Sequence, residues 1–360
     1  MPVQGLVRLR AHQFARQALF GTKVAAVRRY PFSGTPSVDL AWTDPEIDAG
    51  SRDPVAPPFR GPSELTASLT APSLTYNDLP IMHAAFFGGE EVPVGGAGDG
   101  ETWTYEPSST TTEEPDPHTY EFGDDVTTDW FQFGDGVLES VEFSGPEGLG
   151  PLSATMSWRF GSVASSGSTD SPDSPTVPTA GLSVATDDIV VYLKDMGIYI
   201  ASSVAGLAAG QVTDALHSFT MRWTQELDLK RYANGSQTFD IDAYGPGTRG
   251  IELECVFAKT ADTVGLGSES DAWMSDNSVN RYVRLVFTST ANVSTGPDVP
   301  YSWTVTMPMR YYTREEGEIG GNTTVVLTGH AFYDPDDLGE VINSVIVNTL
   351  TEDELGEAGS

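Results

Sequence analysis

From Thr102 to Phe332, loops apart, the apolar residues recur at every second position, and this period constrains the chain more than any other feature. Successive side chains of a strand point to opposite faces, so such a run buries one face of a sheet and wets the other. Trp103 and Tyr105 begin the pattern, Tyr120 and Phe122 continue it, and Leu152, Ala154, Met156, Trp158 and Phe160 share one face. Trp130, Phe131 and Phe133 precede a turn expected at Gly134–Gly136, after which Val137, Glu139, Val141 and Phe143 alternate with their neighbours. Further strands are expected at 189–193, 216–227, 251–257, 282–288, 301–311 and 324–332. The expected class is mainly β: a sandwich or barrel-like core with long loops and a few short helices.

Three helices are expected. In the N-terminal arm, Val7, Ala11, Phe14, Ala15, Ala18 and Leu19 fall at helical spacing before Gly21, which predicts a helix over 5–20. A second, over 78–87, has Asn77 or Asp78 as cap, Pro80 in its first turn and Gly88-Gly89 after it. A third, over 337–350, rests on Leu338, Val341, Ile342, Val345, Ile346 and Leu350 behind Asp336 or Asp337. Residues 31–64 are rich in Pro, Gly and Asp and read as an extended loop.

The chain has 360 residues with 16 Phe, 13 Tyr and 7 Trp, enough for a substantial core, and a formal charge of −32. That balance opposes recognition of nucleic acid through phosphates and adsorption to anionic membranes. The single cysteine, Cys255, excludes an intrachain disulfide framework. No apolar run is long enough to span a membrane, and residues 1–30 lack a signal-peptide core, so a reducing compartment is expected. The charge is uneven: residues 1–38 hold Arg8, Arg10, Arg16, Lys23, Arg28 and Arg29 and no acid. This basic arm either lies on its own domain or docks on the acidic body of a neighbouring copy through Arg8, Arg10, Phe14, Arg16 and Leu19.

The expected organisation is a basic arm (1–38), a first β module (39–160) with a loop at 39–64 and the short helix, a Ser/Pro/Gly-rich linker or surface loop (161–187), a second β module (188–335), and a C-terminal helix with an acidic tail (336–360). There is a weak internal echo. Residues 137–143 followed by 152–160 resemble 215–227 followed by 251–259. Duplication and two unrelated hairpins both account for it.

No catalytic, cofactor or metal residues emerge. There is no G-x-S-x-G, and His12, His83, His118, His217 and His330 are scattered without ligand spacing. Gly245-Pro-Gly-Thr-Arg-Gly250 matches G-x-G-x-x-G but leads into a strand pattern, so it reads as a turn rather than a phosphate cradle. Asp240-Ile-Asp242 opens like a calcium loop, yet Ile251 stands where the bidentate Glu belongs. Asp334, Asp336, Asp337 and Glu340 could gather a cation weakly, but capping the last helix explains the aspartates more simply.

Several stretches taken in order resemble the major tail tube proteins of long-tailed, siphovirus-type bacteriophages. They are Gln17-Ala-Leu-Phe-Gly-Thr-Lys-Val, Arg29-Tyr-Pro-Phe, Asp48-Ala-Gly-Ser-Arg-Asp-Pro, Leu74-Thr-Tyr-Asn-Asp-Leu-Pro, Thr102-Trp-Thr-Tyr-Glu-Pro, His118-Thr-Tyr-Glu-Phe-Gly-Asp and Ala215-Leu-His-Ser-Phe-Thr-Met. The likeness covers most of residues 5–160 and thins towards 350. It implies a structural virion protein and not an enzyme, self-assembled into hexameric rings that stack as a tube whose strands line a lumen for DNA ejection. It also implies tape measure and tail-end proteins as partners, no cofactor, no membrane, and a place in the virion tail after assembly in the host bacterial cytoplasm. A carboxylate-lined lumen would repel phosphate and give the acidity a purpose; solubility alone explains it too. Two other classes are compatible with the residues: a β-sandwich virion binding module of the adhesin or carbohydrate-binding kind, and a hydrolase using paired carboxylates.

Overall fold

Where the sequence alternates, the backbone is extended. The computed structural model describes residues 10–43, 59–88, 93–96, 100–107, 115–123, 130–165, 182–185, 188–213, 215–230, 243–260, 263, 281–293 and 298–355. Strands dominate, as the period requires, and no helix among the described residues is long and apolar enough to cross a membrane.

The first half contributes β1 (Ala11–Arg16), β2 (Arg28–Arg29), β3 (Ser33–Thr43), β4 (Phe59–Ala71), helix α1 (Leu79–Phe87), β5 (Val94–Gly96), β6 (Gly100–Tyr105), β7 (His118–Gly123), β8 (Trp130–Gly145), β9 (Ser153–Phe160) and β10 (Ser162–Ser165). The second contributes β11 (Met196–Ala201), β12 (Gln211–Val212), β13 (Leu216–Lys230), β14 (Ala243–Ala258), β15 (Arg281–Asn292), β16 (Pro300–Ile319), β17 (Asn322–Ala331), β18 (Asn343–Asn348) and the single-turn α2 (Glu352–Leu355).

The pairings describe one pattern twice. In the first half the inner layer runs β3-β4-β9-β8, and the first part of β8 turns into an outer layer ordered β2-β1-β7-β8-β10. In the second half the inner layer runs β13-β14-β17-β16, and the first part of β16 enters an outer layer ordered β12-β11-β15-β16-β18. Every strand from β11 to β18 thus has a counterpart in chain order among β1–β4 and β7–β10.

Irregularities repeat as well. The β3–β4 ladder skips from Leu40/Ser63 to Trp42/Arg60, and the β13–β14 ladder makes the same two-against-three step from Gln225/Arg249 to Leu227/Pro246. Against β9, β8 carries one extra residue, Glu139; against β17, β16 carries one extra residue, Tyr312. Bulges set local twist and are costly to move, so shared positions mark equivalent backbones. Gly61 and Gly247 fall at the same point of the first bulge. A Cβ on Gly247 would lie 1.7 Å from the Glu226 carbonyl oxygen, so this approach admits only glycine.

The two inner layers join where β8 pairs with β13, giving one antiparallel sheet ordered β3-β4-β9-β8-β13-β14-β17-β16. One contiguous core runs from Phe14 to Leu355. Residues 161–187 therefore do not separate independently packed modules; of that stretch, residues 166–181, 186 and 187 lie outside the described set. Helix α1 is buried on all sides beneath the β8/β13 seam, and His83, Phe86 and Phe87 pack on Trp223 at ring distances of 4.9, 5.7 and 4.9 Å. Arg249 donates to the Phe87 carbonyl at the helix C-terminus (3.1 Å), where a cation complements the dipole.

Several expectations are corrected. The helix expected over 5–20 is strand β1 from Ala11 to Arg16, paired along its length with β7; residues 1–9 lie outside the described set. Burial of His12 and Gln13 as well as Phe14 satisfies a sheet interior, which a one-sided helix would not provide. The helix expected over 337–350 is strand β18, because Val345, Ile346 and Val347 are β-branched and β16 and β6 stand ready on either side. The loop expected over 31–64 is largely the β3–β4 hairpin; Pro36 and Pro62 lie within its strands, and residues 44–58 are outside the described set. Residues 189–193 form isolated bridges and a 3-10 turn, with the strand beginning at Met196. Gly134–Gly136 does not reverse the chain. It bends β8 between layers, with Asp135 at φ 58° held by Gly21 N–H (2.6 Å) and Tyr244 O–H (2.9 Å). Residues 245–250 are likewise strand with a bulge rather than a turn. The 78–87 helix is present, but Asp78 accepts from Thr75 N–H (3.0 Å) instead of capping the helix.

Candidate functional site

The described residues form one broad, chemically coherent surface on the solvent face of the eight-stranded sheet. Strand parity sends Leu69, Met156, Phe143, Trp223, Leu253 and Leu327 to the core, so their sequence neighbours face out. Register then sets those neighbours in transverse rows. One row crosses seven strands as Thr70, Thr155, Glu142, Arg222, Glu252, His330 and Arg310. A second runs Ser153, Ser144, Thr220, Glu254, Thr328 and Thr313, and a third Ser68, Ser157, Ser140 and Thr224. Hydroxyls and carboxylates predominate.

Two arginines on this face, Arg222 and Arg159, are engaged by acids, while Arg310 stands over the Phe332 ring at 5.5 Å. Arg222 donates to Glu142 across the β8/β13 seam, its Nε at 2.9 Å, and this contact keeps the guanidinium above its ordinary pKa. Arg159 pairs with Glu139, the residue extruded by the β8 bulge, at 3.1 Å. At the matching bulge of β16, Tyr312 stacks on His330 (ring centroids 4.5 Å) and donates to Glu252; that bond pushes its hydroxyl up to about 12. Exposed single pairs contribute only about 0–1 kcal/mol each, so they shape the surface potential more than they hold the sheet. Glu64, Glu226, Asp228, Glu254 and Glu315 are exposed and add negative charge.

The four described arm residues, Arg10, Phe14, Arg16 and Leu19, are not gathered on one surface. Arg8 lies outside the described residues. Arg10 stands over the Phe122 ring at 5.7 Å, and Arg16 pairs with Asp116 at 2.9 Å. Phe14 is 1% exposed, stacked on Tyr120 at 4.6 Å and against Trp158 at 5.0 Å, within its own core and out of reach of another chain. Leu19 is 69% exposed. From Ala11 to Arg29 the arm is therefore part of the first repeat's outer layer, because β1 supplies the strand that β7 needs at its edge, and from Ser33 it enters the inner layer as β3.

Among the described residues no group of three or more His, Cys, Asp or Glu side chains is placed to hold a metal ion, and the buried histidines do structural work. His83 donates from Nδ1 to the Leu79 carbonyl and accepts at Nε2 from Ser344, both 2.8 Å, while the Trp303 indole donates to the same hydroxyl at 3.0 Å. Asp334 accepts from Tyr282 and from Asp336 N–H (3.2 Å), closing the turn after β17. Asp240 and Asp242 lie outside the described residues. Sequence reasoning assigned none of the face residues individually. Parity within each strand marks them as outward, but their rows depend on strand order.

No protein-family model matches the chain, and no curated protein is significantly similar to it.

Proposed function

We propose that this protein is the tail tube protein of a long-tailed bacteriophage, a structural subunit without catalytic activity that assembles into stacked rings. The observation that carries the reading is the doubled inner layer: a broad continuous sheet whose outer face is hydroxyl- and carboxylate-rich. The tail tube resemblance calls for strands lining a lumen, and this face is the one suited to it. Carboxylates repel the phosphates of passing DNA, and at about 8 Å of screening that repulsion stays near the wall. A basic wall would bind each phosphate and retard transit.

The repeat changes the stoichiometry. A ring with six-fold repetition takes its six units from three chains, each supplying two. Tape measure and tail-end proteins are the partners this reading implies, the virion tail its location, and the host cytoplasm its place of assembly. Negative-stain microscopy of the purified chain, with light scattering for mass, tests it. Rings or tubes with six similar lobes from three chains are expected; single globules at every concentration would reject the reading.

A further inference from the structure

The seam between the two repeats is a head-to-tail contact: β8, the last inner strand of the first, lies antiparallel beside β13, the first inner strand of the second. Such a contact leaves the same two surfaces at the ends of the pair, so repetition produces rings or filaments. The ends here are β3, whose one described neighbour is β4, and β16 beyond Met309, whose one described neighbour there is β17.

The uncovered state of β3 is visible in its side chains. Phe219 and Trp223, on the core side of β13, are 2% and 0% exposed. Their equivalents through the shared bulge are Gly34 and Val38, both exposed, with Val38 at 37%. The side that is covered in β13 is bare in β3 of the single chain. Apart from Pro36, which withholds one N–H from one ladder, β3 carries none of the lysines that usually protect an edge.

We propose that β16 of one chain pairs antiparallel with β3 of a second copy in the register that β8 keeps with β13, so that the sheet runs on from chain to chain. The inference rests on the assembly proposed above and specifies its lateral contact. The seam sets Ser140 opposite Thr224, Glu142 opposite Arg222 and Ser144 opposite Thr220. Carried over through the matching bulges, it sets Thr313 opposite Asp39, Glu315 opposite Ser37 and Gly317 opposite Thr35. These residues share the solvent face of the sheet, so the polar surface continues without a break.

Disulfide trapping in the full chain tests the register. Ser37→Cys and Glu315→Cys in one chain stand at opposite ends of the sheet, roughly 30 Å apart by strand spacing, so they can meet only between copies. Directly opposed antiparallel residues have Cα atoms about 4.5–5.5 Å apart, within disulfide reach. Cys255 is fully buried and does not compete. Mild oxidation of assembled double variant should give a ladder of multimers in non-reducing electrophoresis that collapses with reductant. Each single variant should give none. Neither should Ser37→Cys with Glu316→Cys, where a one-residue slip sends the thiols to opposite faces. Dimers from Ser37→Cys alone would mean that β3 pairs with β3 and would overturn the proposal. Rings or tubes that form without a 37–315 link would overturn the register while leaving the tube reading intact; a double variant and parent that both stay monomeric would overturn both.

Discussion

His83 shows what burial does to single residues in this chain. It lies fully enclosed between α1 and the second repeat, with both ring nitrogens occupied, and desolvation pulls its pKa down to about 3. His118 is likewise pulled to about 3 and His12 to about 4, burial being the main cause in each, with Arg10 and Arg29 adding to the effect at His12. A histidine lowered in the folded state takes up its proton more readily when unfolded, so stability is lost as pH falls below about 6.5. Asp78 has the opposite sign: burial raises it to about 6, so its protonated form favours the fold below that pH. Three groups oppose one. Each contributes at most about 1.4 kcal/mol per pH unit within its own window. The urea midpoint is therefore expected to be lower at pH 5 than at pH 7, and an equal or higher midpoint at pH 5 would show that these imidazoles do not stay neutral in the fold.

Among the elements, β1 is the one whose role the sequence most misrepresents. Its apolar residues fit helical spacing, but β7 offers a ladder over all six of its residues and the core offers Phe14 a stack of aromatic rings. Phe14→Ala should cost about 3–5 kcal/mol of folding stability, as large-to-small changes in a packed core do. Thermal unfolding of the variant at a concentration too low for assembly checks this; an unchanged midpoint would return Phe14 to a contact between chains. Removing residues 1–20 should prevent folding rather than only assembly. Strands with strict alternation, such as β9 and the inner part of β14, were legible because their period reports burial directly. β3 and β4 were not, since Pro36 and Pro62 read as loop markers and half of β3 has no buried face of its own to report. The structural repeat was legible only as a misaligned echo, 137–160 against 215–259. The structural match instead sets β3–β4 with β13–β14, where Ser33/Ser218, Thr35/Thr220 and Gly61/Gly247 are identities. The two repeats share their bulges while their core residues differ in size, as Ala67 against Leu253 and Trp158 against Gly329. The candidate face was legible residue by residue and invisible as a surface, because rows are a property of topology.

For the whole molecule, the repeat turns one contact seen within the chain into a standard for the contact between chains. At the internal seam Arg222 faces Glu142 and offsets a carboxylate in an acidic surface. At the proposed external seam Glu315 faces Ser37 with Asp39 beside it, and each chain carries −32. Copies should therefore repel at low ionic strength. Raising salt from about 10 mM to about 150 mM shortens the screening length from roughly 30 to 8 Å and should promote assembly. Ser37→Arg makes this reading sharper, since it sets an arginine opposite Glu315 and recreates the Glu142–Arg222 pair between chains. An exposed pair is worth about 0–1 kcal/mol, so the concentration needed for assembly at low salt should fall by up to about fivefold, and the benefit of added salt should shrink with it. Position 37 is exposed in the single chain, so folding should be little affected. Sedimentation velocity of parent and variant across a salt series reads both effects. Assembly of the parent that weakens steadily with salt would contradict net repulsion between copies. A variant that follows the parent at every salt concentration would show that Ser37 does not face Glu315 across the junction.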